Sequence, residues 1–318
     1  MIVNLCAAAG QGRYALVIHG GAGNVAREGM SPEREAEYHA KLEEALAAGE
    51  SILKNGGASL DAVEAAVRIL EDSPLFNAGR GAVFTAEGTN ELDAAIMCGA
   101  TLDAGAVAGI TTLRNPITAA RKVMEQSPHV MMIGKGAEQF GYEQGIDVVD
   151  PSWFFDQQRW NQYREWLRRQ QTRGALDVND KMGTVGAVAL DTHGNLAAAT
   201  STGGMMGKRY GRVGDVPVIG AGTYANNASC AVSATGHGEY FIRHVVAHEI
   251  SARMLYQGTG LDEAAGGLIN GTLREIGANG GVIAVDKDGN ISMPFNTTAM
   301  YRGFVKSDGS RGTGIFAE

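Results

Sequence analysis

Between residues 151 and 183 the chain changes character, and that change limits how the rest can be assembled. The stretch PSWFFDQQRWNQYREWLRRQQTRGALDVNDK carries all three tryptophans, is rich in Gln and Arg, and has no glycine until Gly174. Elsewhere glycine is dense, 45 of 318 residues, roughly double the ~7% average. Glycines in such number without an internal repeat point to tight turns and to backbone that approaches a ligand closely. The 151–183 stretch therefore reads as an insertion or linker, helical at first and loop-like at its end, joining two halves of one domain.

Each half mixes strands and helices. Residues 14–18 form an apolar run that reads as a buried strand entering a glycine turn, His19-Gly20-Gly21-Ala22-Gly23. Ser31 can cap a helix that starts at Pro32, carries a stripe of Tyr38, Leu42, Leu46 and Leu53, and stops at Gly56-Gly57. A second helix is expected over about 60–70, strands over about 91–98, 106–111 and 130–133, and a helix opening at Asn115-Pro116. Past the linker, strands at 185–190 and 196–200 flank a hairpin turn, Asp191-Thr192-His193-Gly194-Asn195. One long helix is expected over about 237–256, another over about 261–276, and a closing hairpin from 282–286 and 290–293. This pattern predicts layered sheet structure flanked by helices.

Net charge is -8, which argues against nucleic acid as a partner. No apolar run is long enough to span a membrane. Cys6, Cys98 and Cys230 are too scattered for a disulfide framework or zinc ribbon and read as small hydrophobes. A reducing compartment, the cytoplasm, is the expectation. The opening MIVNLCAAAGQG is too short, and lacks the basic start, of a signal peptide. It reads as a disordered lead, with the remnant of an export segment as the alternative.

Four local features can carry chemistry. In Gly183-Thr184-Val185-Gly186 a threonine stands at the mouth of a strand, after a residue with no side chain to shield the peptide bond. Cleavage there would give Thr184 a free α-amine beside its hydroxyl, with a pKa near ~8 that suits a base. Taken alone, the same residues are also a common turn. Thr200-Ser201-Thr202-Gly203-Gly204 lies across the hairpin, within reach of Thr184. Gly211-Arg212-Val213-Gly214-Asp215 offers opposite charges to one ligand, as an amino acid's α-carboxylate and α-ammonium require. Thr235-Gly236-His237-Gly238-Glu239, before the long helix, can supply N–H groups and a hydroxyl to an oxyanion.

Together these features resemble one family, the plant-type L-asparaginases, also called isoaspartyl aminopeptidases, over about 19–315. The resemblance runs through HGGAG at 19–23, SPLFNAGRGAVF at 73–84, ELDAAIM at 91–97 and MGTVGAVALDTHGNLAAATSTGG at 182–204, then GRVGD, GAGTYANNAS and SATGHGE. It implies an α+β fold, the four-layer αββα sandwich of N-terminal-nucleophile hydrolases. The single domain, 1–318, would mature into an α piece, 1–183, and a β piece, 184–318, two of each forming the active assembly. It implies Thr184 as nucleophile, Thr202 supporting its hydroxyl, and Arg212 and Asp215 holding the substrate's carboxylate and amine. Thr235 and Gly236 would shape the oxyanion hole, Gly238 line the pocket, and Asn77 orient the amine end of Thr184. No catalytic cofactor is implied. A structural sodium would sit on the main-chain carbonyls of Leu70, Glu71, Ser73, Phe76, Ala78 and Arg80, as suits a hard cation. L-Asparagine and isoaspartyl dipeptides would be the substrates, both releasing L-aspartate.

Met206-Gly207 and Arg209-Tyr210 depart from the family's more polar pattern and bear on substrate preference. The linker is expected to carry no information on catalysis. His244, His248 and Glu249 share a helix but lack a third ligand at zinc-like spacing. Three rival readings remain. A glycosylasparaginase keeps the chemistry and changes the leaving group. A nucleotide-binding module would use GGAGN as a phosphate loop, without the full G-x-G-x-x-G. An uncleaved scaffold would have no activity.

Overall fold

The computed structural model describes residues 12–173 and 183–317; the readings of Cys6, the opening segment and the end of the linker lie outside them. In chain order the strands are β1 (Ala15–Gly23), β2 (Leu92–Cys98), β3 (Ala104–Ile110), β4 (Met131–Ile133), β5 (Val185–Leu190), β6 (Leu196–Thr202), β7 (Thr223–Ala225), β8 (Cys230–Gly236), β9 (Gly280–Asp286), β10 (Ile291–Ser292), β11 (Ala299–Lys306) and β12 (Arg311–Phe316). The α-helices are α1 (Pro32–Lys54), α2 (Ser59–Glu71), α3 (Pro116–Gln126), α4 (Gly134–Glu143), α5 (Gln157–Arg173), α6 (Gly238–Arg243), α7 (Val246–Ala252) and α8 (Leu261–Gly266).

Two sheets stack face to face. The larger has the order β12-β11-β1-β5-β6-β2-β3-β4, and the smaller β10-β9-β8-β7. All pairings are antiparallel except β3 with β4. Helices α1, α2 and α3 cover the outer face of the large sheet, while α7 and α8 cover that of the small one. The chain is thus a four-layer αββα sandwich, with three apolar cores between its layers. Because successive strand residues face opposite ways, Val185, Ala187 and Ala189 of β5 pack under the helices, and Val188 faces the other sheet.

Several elements follow the sequence closely. Ser31 accepts the Arg34 N–H and caps α1, with Pro32 at its first position. Others differ. Strand β1 does not turn at its glycines. It bulges between His19 and Gly21 and goes on pairing with β11 as far as Gly23. The helix expected over 237–256 is broken. Val245 takes a left-handed conformation, φ 47°, and the N–H groups of Ala247 and His248 donate to the carbonyls of Ala221 and Gly220. A β-branched residue is strained there, and those loop carbonyls compensate. Residues beyond α7 and beyond α8 continue as π-helical turns. Strands β7, β8, β11 and β12 and helix α4 were not expected.

The linker is not peripheral. Helix α5 lays Tyr163 and Trp166 onto Val83, Phe84 and Met206 in a core of their own. Arg159 donates from Nε to the Gly81 carbonyl (2.8 Å) and from Nη2 to the Leu75 carbonyl (3.3 Å), and the Tyr163 hydroxyl donates to the Ala86 carbonyl (2.9 Å). The linker thereby braces residues 75–86, the loop that carries Asn77. Among the described residues, no helix is long and apolar enough to cross a membrane. Trp166→Ala should lower stability by about 3 kcal/mol, the usual cost of emptying a buried aromatic site. A denaturant midpoint equal to that of the wild type would show that α5 is not docked.

Candidate active site

The register of β5 and β6 builds the first part of the site. Val185 pairs with Ser201 and Gly186 with Thr200, so Thr184, one step before β5, meets Thr202 at the end of β6. Both are buried. The Thr184 hydroxyl donates to Thr202 Oγ1 (3.2 Å), and Thr202 Oγ1 donates to the carbonyl of Gly183 (3.0 Å). A hydroxyl has one proton, so this order runs one way. Asn77 Nδ2 donates to the same Gly183 carbonyl (2.8 Å) and to that of Gly204 (2.7 Å), while its Oδ1 accepts the Val83 N–H (2.9 Å). The carbonyl preceding Thr184 therefore receives two hydrogen bonds, beside a hydroxyl one residue on.

Strand β1 closes this group from the other side. His19 is fully buried between Thr184 and Ser233: Nδ1 lies 3.0 Å from the Thr184 carbonyl and Nε2 2.9 Å from Ser233 Oγ. Burial drives its pKa down to about 3, so the imidazole is neutral. Thr235 is fully buried and its Oγ1 accepts the Ala22 N–H (3.2 Å). Thr235 and Gly236 are the last residues of β8, not the entry to a helix as expected, and α6 is a short helix beginning at Gly238.

Arg212, Asp215 and Gly238 converge as expected. A Cβ on Gly238 would lie 2.8 Å from Arg212 Nη2 and 2.9 Å from Asp215 Oδ1, so only glycine leaves that space open. Arg212 Nε donates to Glu239 Oε1 (2.9 Å). Burial alone would raise Glu239, but the Arg212 hydrogen bond and charge outweigh it and hold its pKa low. Asp215 is buried and its Oδ2 has no hydrogen-bond partner. Burial pushes its pKa up to about 7 against the pull of Arg212. Asp93 ties the two groups together. It pairs with Thr202 across β2 and β6, and it feels the charges of Lys208 and Arg212. Its carboxyl is raised by burial and accepts the Gly109 N–H (2.8 Å). Lys208, itself buried, donates from Nζ to the Glu91 carbonyl (3.0 Å).

A cavity of about 670 Å³ opens on the Gly183 side, lined by Asn77, Gly183, Arg34, Arg159, Tyr38 and Tyr301 among others. Nearby, the chain folds its own carbonyls inward. A Cβ on Gly79 would overlap the Glu71 carbonyl, and one on Gly81 would overlap that of Phe76. The Glu71 carboxyl is turned away, accepting the Ile117 N–H (3.0 Å) and Asn115 Nδ2 (3.1 Å), and burial lifts its pKa to about 8. The carbonyls of Leu70 and Ala78 already accept from Ser73 and Gly81. With the Asp72 carboxylate paired to Arg114 (3.3 Å), main-chain oxygen is what residues 70–80 offer a hard cation.

The break at Val245 separates His244 from α7, so it does not share a helix with His248 and Glu249 as expected; His248 sets its ring edge-on to Tyr224, and Glu249 pairs with Arg253 (2.9 Å). Among the described residues no three His, Cys, Asp or Glu side chains could hold a metal together. Met206 packs against α5, while Tyr210 is 96% exposed. The roles of His19, Ser233, Asp93, Lys208 and Glu239 were not read from the sequence. HGGAG, ELDAAIM and SATGHGE had marked four of these positions, without a task for any of them.

Four layers with this cluster at one end of the inter-sheet space define a hydrolase of the α+β sandwich class. A model of the asparaginase family matches residues 12–315. The isoaspartyl peptidase of Escherichia coli (strain K12) is 52% identical over 312 residues, covering 96% of this chain and 97% of that protein. The plant-type L-asparaginase of Pyrococcus abyssi is 41% identical over 301 residues (92% and 96% covered), and the probable isoaspartyl peptidase/L-asparaginase 2 of Arabidopsis thaliana 40% over 321 (94% and 97%). The chain belongs to the asparaginase family.

Asp215 gives a pH prediction. An ammonium group bound to it needs the carboxylate, which predominates above about 7 and is lost as the pH falls. The Kd of L-aspartate should therefore rise about tenfold per unit below that point, and Asp215→Asn should bind weakly at every pH. Calorimetric titrations between pH 5 and 8 check this, and a flat wild-type profile would contradict it.

Proposed function

We propose that this protein is a self-processing threonine hydrolase that cleaves isoaspartyl dipeptides and L-asparagine. The observation that carries the reading is the one-way order Thr184 to Thr202 to the Gly183 carbonyl, with Asn77 on the same oxygen. In the precursor, Thr184 Oγ adds to the Gly183 carbonyl carbon while Asn77 and Thr202 stabilise the oxyanion. The C–N bond breaks, the hydroxyl proton goes to the departing nitrogen, and an ester links Gly183 to Thr184 Oγ. Water hydrolyses that ester, leaving a carboxylate on Gly183 and a free amine on Thr184. Two pieces result, 1–183 and 184–318.

In the mature enzyme the Thr184 amine, with a pKa near ~8, takes the hydroxyl proton as Oγ attacks the substrate's side-chain carbonyl. Thr235 and Gly236 stabilise the oxyanion, Thr202 supports Oγ, and Asn77 holds the amine end of Thr184. Ammonia or an amino acid leaves, and water then releases L-aspartate. Arg212 takes the substrate α-carboxylate, exchanging Glu239 for it, and Asp215 Oδ2 takes the α-ammonium it lacks at present. Gly238 leaves room for the bound group. A structural sodium on the carbonyls of residues 70–80 belongs to the same reading, since residues 70–80 frame Asn77; among them, the oxygens of Glu71, Pro74 and Phe76 are crowded toward glycine. So does pairing of two α–β units, for which the exposed Met131 and Ile133 on the edge strand β4 offer apolar surface. Free thiols at Cys98 and Cys230 suit the cytoplasm.

Thr184→Ala should remain a single 33.3 kDa chain, whereas the wild type should resolve into pieces of roughly 19 and 14 kDa. Normal maturation of the mutant would remove Thr184 as the nucleophile. The clamp also sets substrate choice. β-Asp-Leu and L-asparagine keep both α groups free, but α-Asp-Leu spends its α-carboxylate in the peptide bond and offers Arg212 no anion in exchange for Glu239. The first two should be hydrolysed and the third turned over at least about a thousandfold more slowly. Assays of the three side by side test this, and comparable turnover of α-Asp-Leu would overturn the clamp.

A further inference from the structure

A chain of buried hydroxyls runs from the nucleophile's main chain to the loop that carries the clamp. It starts at the Thr184 carbonyl, 3.0 Å from His19 Nδ1. His19 Nε2 then meets Ser233 Oγ (2.9 Å), Ser233 meets Thr200 Oγ1 (2.7 Å), and Thr200 meets Thr223 Oγ1 (2.7 Å). Thr223 Oγ1 lies 3.1 Å from the carbonyl of Val216, the residue after Asp215. His19, Ser233, Thr200 and Thr223 are all wholly buried. They come from β1, β8, β6 and β7, so both sheets are tied at one point.

Proton counting gives this chain a direction. A carbonyl only accepts, so His19 Nδ1 must carry the proton and donate to Thr184. A neutral imidazole then has a bare Nε2, which must accept from the Ser233 hydroxyl. Ser233, its one proton spent, accepts from Thr200, and Thr200 in turn accepts from Thr223, whose single proton is shared between Thr200 Oγ1 (2.7 Å) and the Val216 carbonyl (3.1 Å). The reverse order would set a bare Nδ1 against the Thr184 carbonyl, two lone pairs 3.0 Å apart. Burial, which depresses the imidazole's basicity, removes the doubly protonated form as a third option.

The strand ladder explains why the nucleophile needs this contact. Pairing of β1 with β5 ends at His19 opposite Gly186, because β1 bulges immediately afterwards. The Thr184 carbonyl lies past the last rung, and the His19 side chain supplies a donor in place of a strand N–H. Gly186 makes room for it: a Cβ there would overlap Ser233 Oγ and lie 2.6 Å from His19 Nε2. The second glycine of Gly183-Thr184-Val185-Gly186 is thus required by this contact.

We propose that His19 is a positioning residue, held as its Nδ1–H tautomer by Ser233, Thr200 and Thr223, that fixes the Thr184 main chain so that its hydroxyl and amine point at the reacting carbon. This rests on Thr184 being the nucleophile, and it adds a residue that touches neither substrate nor reacting atoms. Its loss is therefore expected in kcat, with KM nearly unchanged, since the clamp stays intact.

Two measurements test it. In mature wild-type protein labelled with ¹⁵N-histidine, NMR at pH 7 should find the His19 proton on Nδ1 and none on Nε2. The opposite tautomer, or a doubly protonated ring, overturns the proposal without any assay. The second compares two replacements. The amide of Asn sits about where Nδ1 sits, and that of Gln about where Nε2 sits. His19→Asn can keep the bond to Thr184, whereas His19→Gln keeps only the bond to Ser233. On β-Asp-Leu, per mature active site, His19→Gln should lose at least about tenfold in kcat at a KM within about twofold, and His19→Asn should retain most of it. Equal losses in both, or a loss confined to KM, overturn the positioning role. A wild type inactive on β-Asp-Leu would instead refute the proposed function, and the tautomer measurement would still stand.

Discussion

Everything at the functional end of this molecule depends on how the Gly183 carbonyl is held. An amide is a poor electrophile, and its oxygen here is gripped by an amide N–H from Asn77 and a hydroxyl from Thr202. Both donors are fixed in turn. Asn77 is locked by Val83 N–H and the Gly204 carbonyl, and Thr202 Oγ1 by the Gly204 N–H (3.0 Å). A donor that is already oriented needs no reorganisation when charge develops on the oxygen it faces. The central placement of β5 beside β6 makes this possible, because neither threonine lies on a sheet edge open to water.

The inter-sheet layer is divided to suit. Away from the site, Val17, Val188, Ala198, Ile283 and Val285 fill it with apolar contacts. At the site end the same strand faces carry His19, Thr184, Thr200, Thr202, Ser233 and Thr235, all buried and all hydrogen-bonded. A buried hydroxyl left without a partner destabilises the fold, and each of these has one: Thr184 bonds Thr202, Ser233 joins His19 to Thr200, and Thr235 accepts the Ala22 N–H. Helix α5 belongs to the same design from outside. By gripping Gly81 and Leu75 through Arg159, it steadies the loop on which Asn77 stands. The linker thus bears on the site, contrary to what its composition alone suggested.

What could be read from the sequence was local. The Asp191–Asn195 turn dictates the β5–β6 register, so the meeting of Thr184 with Thr202 was predictable from two short strands and the loop between them. Arg212 and Asp215 were legible for the same reason, sitting three residues apart between glycines. Features that depend on distant partners were not. Strand β1 runs through its glycines only because β11, near the far end of the chain, pairs with it. The break at Val245 has no signal in HVVAHE, since it is set by the carbonyls of Gly220 and Ala221. Glu239 as the partner of Arg212, and Asp93 and Lys208 beside the clamp, come together only once β2, β6 and the loops have folded. Motif resemblance picked out Thr184, Thr202, Arg212, Asp215 and Gly238, which the fold brings into two neighbouring groups, while the residues packed around them needed coordinates.

The placement of charge bears on where the base comes from. Among the described residues, the side chains in hydrogen-bond contact with Thr184 and Gly183 are Thr202, Asn77 and His19. Threonine and asparagine do not take up protons near neutral pH. His19 is the natural candidate for a base, yet both its nitrogens are already engaged, and burial keeps it uncharged down to about 3. The ionisable residues are gathered elsewhere, in the group formed by Arg212, Asp215 and Glu239. In the uncut chain the nitrogen of Thr184 is an amide and has no basicity to offer. Cutting before Thr184 turns that nitrogen into an amine within two bonds of the carbon bearing the hydroxyl. On the proposed reading the cleavage itself supplies the base, which accounts for the lack, among the described residues, of a basic side chain in contact with the Thr184 hydroxyl.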